Sequence, residues 1–417
     1  MATTAVGLVV TTAWLNRRAV ARQVLVGWLD QRGIPASVRV DRLELDGFVG
    51  RLIVGDARNP DFSGDVAVDY RIAAPWASGG MSITPSRILL TRPVLKARWF
   101  DNKLSLGALD PLVKEFTGKP PTPDSRSPLI VVQQGQVRLA TDYGLILATG
   151  DVTVDNGKLM RLKASASDLR LARDDMRVEG LSADLDLTTT GDRIALGLDL
   201  KVADLKTPAA SGRAAQVSVV ADLPYPDMKA QPGRASRAVD SRASMTLDLT
   251  GEALSLAGIS TTAPSARLRF AGLTTGWIET FRIAGEVSGE ARAARLSGDG
   301  LSATSTSVLL TGSRLDFGRR DQGDLRWSVQ GPASLRAAQA AAGDLKFETL
   351  SVVTGPIAMG GHGAAMEASG PLNLTAASAS FGDLALKGVT GAAALDYVQD
   401  GGTRIQLTGG LRSAGGR

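Results

Sequence analysis

The chain has 417 residues with 47 Gly, 18 Pro, no Cys, one His, 5% aromatic residues and a net charge of +5. Without Cys and with a single His, it has no disulfide framework and no Cys-ligated or multi-His zinc site of its own. Its basic residues stand singly (Arg39, Arg51, Arg138, Arg193, Arg267), not clustered among aromatics, which excludes the usual nucleic-acid footprint and leaves at most a mild attraction to anionic membrane surfaces.

Met1–Leu15 is uncharged apart from its terminal amine and moderately apolar, and it stops at Asn16, Arg17 and Arg18. A spanning helix needs roughly 20 such residues. A secretory signal needs a basic segment in front. An uncleaved anchor, a weak signal sequence and a core helix compete for residues 1–15. The anchor is the reading adopted, with Val6, Leu8, Val9, Val10, Trp14 and Leu15 as its apolar residues. Arg17, Arg18 and Arg22 follow it, on the side that the positive-inside rule makes cytoplasmic. A basic segment upstream of this start would reconcile that with export of the remainder. Residues 16–34 predict an amphipathic capping helix. Ala21, Leu25, Trp28 and Leu29 share a stripe, Gly33 ends it and Pro35 blocks continuation. Such a helix can lid the first end of a sheet and protect an edge strand. Lying on a membrane surface is its alternative use.

From Ser37 to Leu106 apolar and polar residues alternate. Phe48, Leu52 and Val54 surround Gly50; Val66, Val68, Tyr70 and Ile72 form one stripe. Alternation places every second side chain on one face of a strand. Two short strands flank Asp101-Asn102. Asp110-Pro111 predicts a short helix over 111–117, with Asp110 as its N-cap. Residues 117–128 read as a loop.

Strands resume at Leu129. Asp155-Asn156-Gly157 is a strong hairpin signal. Ile194, Leu196, Leu198, Leu200 and Val202 make the clearest strand of the chain. Pro224–Arg242 is basic, without period, and reads as a loop. Leu325, Trp327 and Val329 alternate cleanly. Gly343-Asp344 and Gly382-Asp383 open two similar turn-plus-strand units. The fold expected is mainly β: a long, curved, antiparallel sheet with one continuous apolar face. Residues 35–128 form its first segment and 129–417 its continuation.

No residue set spells out catalysis, and the chain reads as a non-enzyme. His362, between glycines, lacks a partner in sequence and reads as an exposed turn residue. Asp174-Asp175 lacks the spaced oxygen ligands of a calcium loop and reads as a solvated turn. Gly-x-Ser-x-Gly is absent. No cofactor or metal is expected. Two architectures fit the stripes: a sheet closed on itself around a core, or one curled partway into a groove. Periodicity does not separate them.

An N-terminal apolar segment, a helix ending in Arg-Gly-Ile-Pro, strand pairs, Thr-Arg-Pro-Val-Leu and Leu-Ser-Leu-Gly-Ala-Leu-Asp-Pro-Leu together resemble the YdbH family of AsmA-like, TamB-like envelope proteins. The likeness covers roughly the first third as residues and the remainder as pattern. It implies an inner-membrane anchor and a periplasmic β-groove that passively conducts phospholipid towards the outer membrane. The partners implied are phospholipids, the inner membrane and an outer-membrane or periplasmic protein, with no nucleic acid. Val66, Val68, Tyr70, Ile72, Ile194, Leu196, Leu198, Leu200 and Val202 are then the candidate groove lining. Family members are longer, so this chain is expected to be a fragment. A scaffold for outer-membrane protein assembly and a secreted β-rich adhesin are the alternatives. An outer-membrane barrel fits less well, because Trp and Tyr number only 6 and 4 where aromatic girdles are expected. Nothing in the sequence supports dicarboxylate transport.

Overall fold

The computed structural model describes residues 26–416 except 28, 45, 74–81, 102, 112–126, 226–240, 257, 278–279, 299, 320–323, 364 and 401. The fold is mainly β, as expected. The chain divides into two compact units, one of residues up to 174 with 182–188, the other of 175–181 with 189 onwards.

The first unit contains β1 (Ala36–Leu43), β2 (Gly47–Val54), β3 (Phe62–Ala73), β4 (Ser82–Phe100), β5 (Lys103–Ser105), β6 (Leu129–Thr141), β7 (Gly144–Asp155) and β8 (Lys158–Arg173). Neighbours pair antiparallel, except that β4 and β6 run parallel from Arg87↔Leu129 to Trp99↔Thr141. The Asn-Gly signal holds: Asn156 and Gly157 take φ of 50° and 74° between β7 and β8, the left-handed pair a two-residue hairpin requires.

Residues 26–27 and 29–30 are helical. This short piece is all that the described residues show of the helix expected over 16–34; residues 1–25, the anchor included, lie outside them. No helix among the described residues is long and apolar enough to cross a membrane. Gly33 ends the turn at φ 70°, and Ile34 donates its N–H to the Leu29 carbonyl at 3.0 Å. Leu29 and Ile34 are buried with Val54, against Leu52, Phe62 and Ala108. Leu29 and Ile34 thus cover the first strands from a short turn, not from the capping helix expected.

The helix expected over 111–117 is corrected in its start. Helical structure begins at Gly107–Leu109, and Asp110 is itself helical at φ −53°. Its carboxylate accepts from the Leu106 N–H at 2.6 Å and the Ser105 hydroxyl at 2.7 Å. Asp110 thus caps backwards, onto the turn before it. Residues 112–117 lie outside the described residues, as does most of the loop expected over 224–242.

Strand β9 (Met176–Thr190) contributes to both units. The second unit continues with β10 (Arg193–Lys206), β11 (Ala210–Pro224), β12 (Arg242–Thr250), β13 (Ala253–Leu256), β14 (Ile259–Thr262), β15 (Ser265–Trp277), β16 (Thr280–Gly298) and β17 (Leu301–Arg319). It ends with β18 (Leu325–Gly331), β19 (Ala333–Ala342), β20 (Leu345–Thr354), β21 (Ile357–His362), β22 (Ala365–Phe381), β23 (Leu384–Gln399) and β24 (Thr403–Gly416). Gly343 and Gly382, each at positive φ, make the tight turns β19–β20 and β22–β23. The repeat seen in sequence is a repeated hairpin.

Two six-strand pairing circuits close on themselves, β11–β12–β15–β16–β14–β13 and β17–β18–β21–β22–β20–β19. In the first, the register passes straight through. Gln216 faces Thr250 on β12, and three residues back Arg213 faces Ala253 on β13. Thus β12 and β13 are halves of one long strand, and so are β14 and β15. In the second, the halves are offset by one residue at Pro332 and at Gly355-Pro356. Proline cannot donate to a ladder, so it sits at bulges. Each circuit encloses a break in a ladder and no barrel lumen.

The apolar alternation does not run unbroken. Gly180, Ala214, Ala263, Ser305, Thr349 and Gly388 all have φ between 46° and 61°. They fall on alternate long strands, in one row across the second unit. Val202 faces Ala215 and Asp204 faces Arg213, which leaves Ala203 and Ala214 without a ladder pairing. The same gap leaves Ala294 with Ser305, Ala338 with Thr349, and Ala377 with Gly388. At this row the inward residue jumps by three positions, not two: Val202 to Leu205, Ala337 to Ala340, Phe347 to Leu350, Ala376 to Ala379 and Leu386 to Val389. A bulge bends a strand and shifts its side-chain phase. Here every strand shifts together, so one face stays apolar on both sides of the crease. Ala337, Leu350, Ala376, Ala379 and Val389, with Phe347 and Leu386 against them, form the buried core astride it.

Candidate functional site: the apolar face

Register fixes which side chains share a face, because directly paired residues point the same way. In the first unit Val66 pairs with Gly50 and Leu90, and Val68 with Phe48 and Ile88. Tyr70 follows past a bulge, opposite Pro85, and Ile72 faces Ile83 in the backbone register. Tyr70 donates its hydroxyl to the Glu44 carbonyl at 3.0 Å. Burial, and behind it the charge of Asp46, holds its phenol above the ordinary tyrosine value.

In the second unit Ile194, Leu196, Leu198, Leu200 and Val202 face Leu223, Ala221, Val219, Val217 and Ala215. All five are half-buried; none is fully buried. The row continues through Leu247 to Leu268 and Met245 to Phe270. By register, Val66 and Val68 share a face in the first unit, as do Ile194, Leu196, Leu198, Leu200 and Val202 in the second; the side chain of Ile72 lies outside those described. Val6, Leu8, Val9, Val10, Trp14 and Leu15 lie outside the described residues.

This face is poorly covered. Leu256, Ile259, Leu301, Phe381 and Leu384 sit on it at the hairpin ends and are exposed, Leu256 at 65% and Phe381 at 59%. A second layer would bury them, since large apolar groups gain roughly 1.5–3 kcal/mol on full burial. The opposite face of the second unit carries cross-strand ion pairs such as Arg193–Asp222 at 2.9 Å and Arg267–Asp248 at 2.5 Å; the first unit has its own, Lys163–Asp186 at 3.1 Å. Each such exposed pair contributes at most about 1 kcal/mol.

His362 ends strand β21 rather than sitting in a turn, and it is exposed as expected. It pairs in register with Arg326. Both border a hollow of about 450 Å³ on the polar face, with Arg282, Asp316 and Glu367 around Gly318 and Gly360. Arg282 Nε donates to Asp316 at 3.0 Å. Among the described residues no acid cluster with metal-ligand geometry occurs. Asp174 is an exposed turn residue at φ 50°.

Sequence reasoning missed a third group. Phe281, Phe317 and Trp327 share the apolar face at the strand ends of β16, β17 and β18, with Phe281 and Phe317 5.6 Å apart and tilted by 55°. Gly361 faces Trp327; a Cβ there would lie 2.8 Å from the indole Nε1. Arg319 lies between Phe281 and Leu325 on that same face. The phase Ser313, Leu315, Phe317, Arg319 gives the inward position away, once the register shift at Gly312 is accepted.

No family model, curated protein or solved structure matches the chain. The family resemblance thus rests on the residues quoted above.

Proposed function

We propose that this protein is a passive phospholipid conduit of the AsmA-like, YdbH type, held at the inner membrane by its N-terminal segment with its sheet in the periplasm. The sheet curls partway into a groove, and acyl chains lie on its apolar face. The observation that carries this reading is the state of that face. Among the described side chains of the second unit it holds one charged residue at a strand position, yet leucines such as Leu198 and Leu256 on it stay part or largely exposed.

The energetics favour such a use. A phospholipid with about 30 methylenes loses on the order of 20 kcal/mol or more when its chains enter water, at roughly 0.8 kcal/mol per methylene. A continuous apolar surface removes most of that cost and requires no nucleophile, metal or cofactor. The charged face, with its exposed ion pairs, meets water. The open strand-end leucines let a chain slide on and off without unfolding the sheet.

Native mass spectrometry of the protein extracted from membranes tests this directly. Co-purifying phospholipid, removed by extended delipidation and regained from phospholipid vesicles, is the expected result. A protein that is lipid-free on extraction and takes up none from vesicles would overturn the proposal.

A further inference from the structure

Arg319 differs from every neighbour on its face. Along β10 to β24 the apolar face presents Ile, Leu, Val, Ala, Gly, Phe, Met, Ser, Thr and a few other uncharged residues. Among the described side chains of the second unit, Arg319 is the one charged residue at a strand position of that face. It occupies the last paired position of β17, opposite Phe281 at the β16 start and Leu325 at the β18 start. Its Nε is buried and has no hydrogen-bond partner among the described residues. Nor does any described carboxylate stand beside it on this face. Phenylalanine and leucine offer its guanidinium nothing to bond.

A buried donor without an acceptor costs the full desolvation of that donor, and native proteins rarely leave one so. The guanidinium is a planar fork matched to two oxygens of a phosphate or carboxylate. Aromatic rings beside it suit the region where a lipid changes from polar to apolar. Phe281, Phe317 and Trp327 supply those rings, and Gly361 leaves the indole its space.

We propose that Arg319 is a headgroup anchor, binding the phosphate of a glycerophospholipid whose acyl chains lie on the adjoining apolar face, with Phe281, Phe317 and Trp327 flanking the glycerol. This rests on the conduit reading and adds to it a fixed stopping point and a preference for phosphorylated lipid. A chain entering here is held by the head while its tails remain free to slide.

The test uses the whole 417-residue chain and two probes, dioleoylphosphatidylglycerol and dioleoylglycerol, offered at equal amounts in mixed vesicles. Bound lipid is counted by native mass spectrometry. The wild type should retain the phosphorylated lipid over the neutral one by about tenfold, the size expected of a charge-assisted bidentate contact. Arg319→Gln should bring that ratio close to one with the total load unchanged. Arg319→Lys, a point charge without the fork, should fall between. A ratio that Arg319→Gln leaves unaltered overturns the anchor while leaving the conduit intact. Loss of the ratio in millimolar inorganic phosphate, with the total load kept, would make this a free-phosphate site and also overturn it. No lipid on either protein overturns anchor and conduit together. Arg319 is partly exposed at a strand end, so Arg319→Gln should keep the circular dichroism spectrum of the parent.

Discussion

Ala376 and Ala379, three residues apart on β22, are both buried on the same face, at 6% and 3% exposure. A regular strand puts such a pair on opposite faces. They are reconciled by Ala377, which has no ladder pairing opposite Gly388, and by Gly388 at φ 61°. Because the chain has no Cys, single cysteines report this directly. Ala376→Cys and Ala379→Cys should react with maleimide at least about tenfold more slowly than Ala377→Cys, since local opening governs access to buried groups. Fast reaction at 379 with slow reaction at 376, the pattern of a regular strand, would mean that the phase shift is absent.

The crease should set stability. Thr349 is β-branched and held at φ 54°, where an L residue loses roughly 1–2 kcal/mol. Thr349→Gly is expected to raise the denaturation midpoint by the equivalent of about 1 kcal/mol, part of the gain being offset by glycine's greater unfolded-state entropy. Gly388→Val should lower it by at least about 2 kcal/mol, through the same φ penalty and a Cβ 3.1 Å from the Ala414 Cβ. Urea denaturation followed by circular dichroism measures both. A neutral Gly388→Val would contradict the left-handed assignment.

Core and surface positions of one strand should separate sharply. Leu350 is buried beside the crease, whereas Val353 on β20 is half exposed on the other face. Leu350→Ala should cost about 2–3 kcal/mol and Val353→Ala under about 0.5 kcal/mol. The same urea titration decides it, and similar costs at the two positions would contradict the face assignment.

Much of this fold was legible in the sequence, and specific residues show why. Alternation placed Val66, Val68 and Ile194 to Val202 on their faces, because a half-buried strand leaves that imprint. Asn156-Gly157 announced its hairpin, because few residue pairs take two positive φ values. The crease was written as well, in the skip from Phe347 to Leu350 and from Leu386 to Val389. It reads as noise until paired strands show the skips in register. The parallel β4–β6 pair left no local trace, since nothing in either strand records the direction of its neighbour. Arg319 was hidden for a related reason: its face depends on the shift at Gly312, a tertiary fact.

Tyr70 offers a pH test on the first unit. Its folded-state pKa is raised, by burial first and Asp46 second. The fold therefore favours the protonated phenol. Its contribution to stability is complete below the ordinary tyrosine value of 10.0 and is lost as pH rises through the higher folded value. Ultraviolet titration of the native protein should show a late phenolate step that Tyr70→Phe removes. A step that survives Tyr70→Phe would assign it elsewhere.

The most direct measurement of the account's central claim is photocrosslinking at position 198 in membranes. Leu198 faces Val219 on the apolar face, and Asp199 beside it faces Ser218 on the polar one. A photoreactive residue at 198 should give phospholipid adducts, and the same residue at 199 should give none. Leu198→Asp should abolish the lipid load, since a desolvated carboxylate costs several kcal/mol among acyl chains. It should also keep the β spectrum, because on an open face the carboxylate reaches water once lipid is gone. Crosslinks from 198 only to other parts of the same chain, with Leu198→Asp unfolded, would mean a closed core and would contradict lipid transfer.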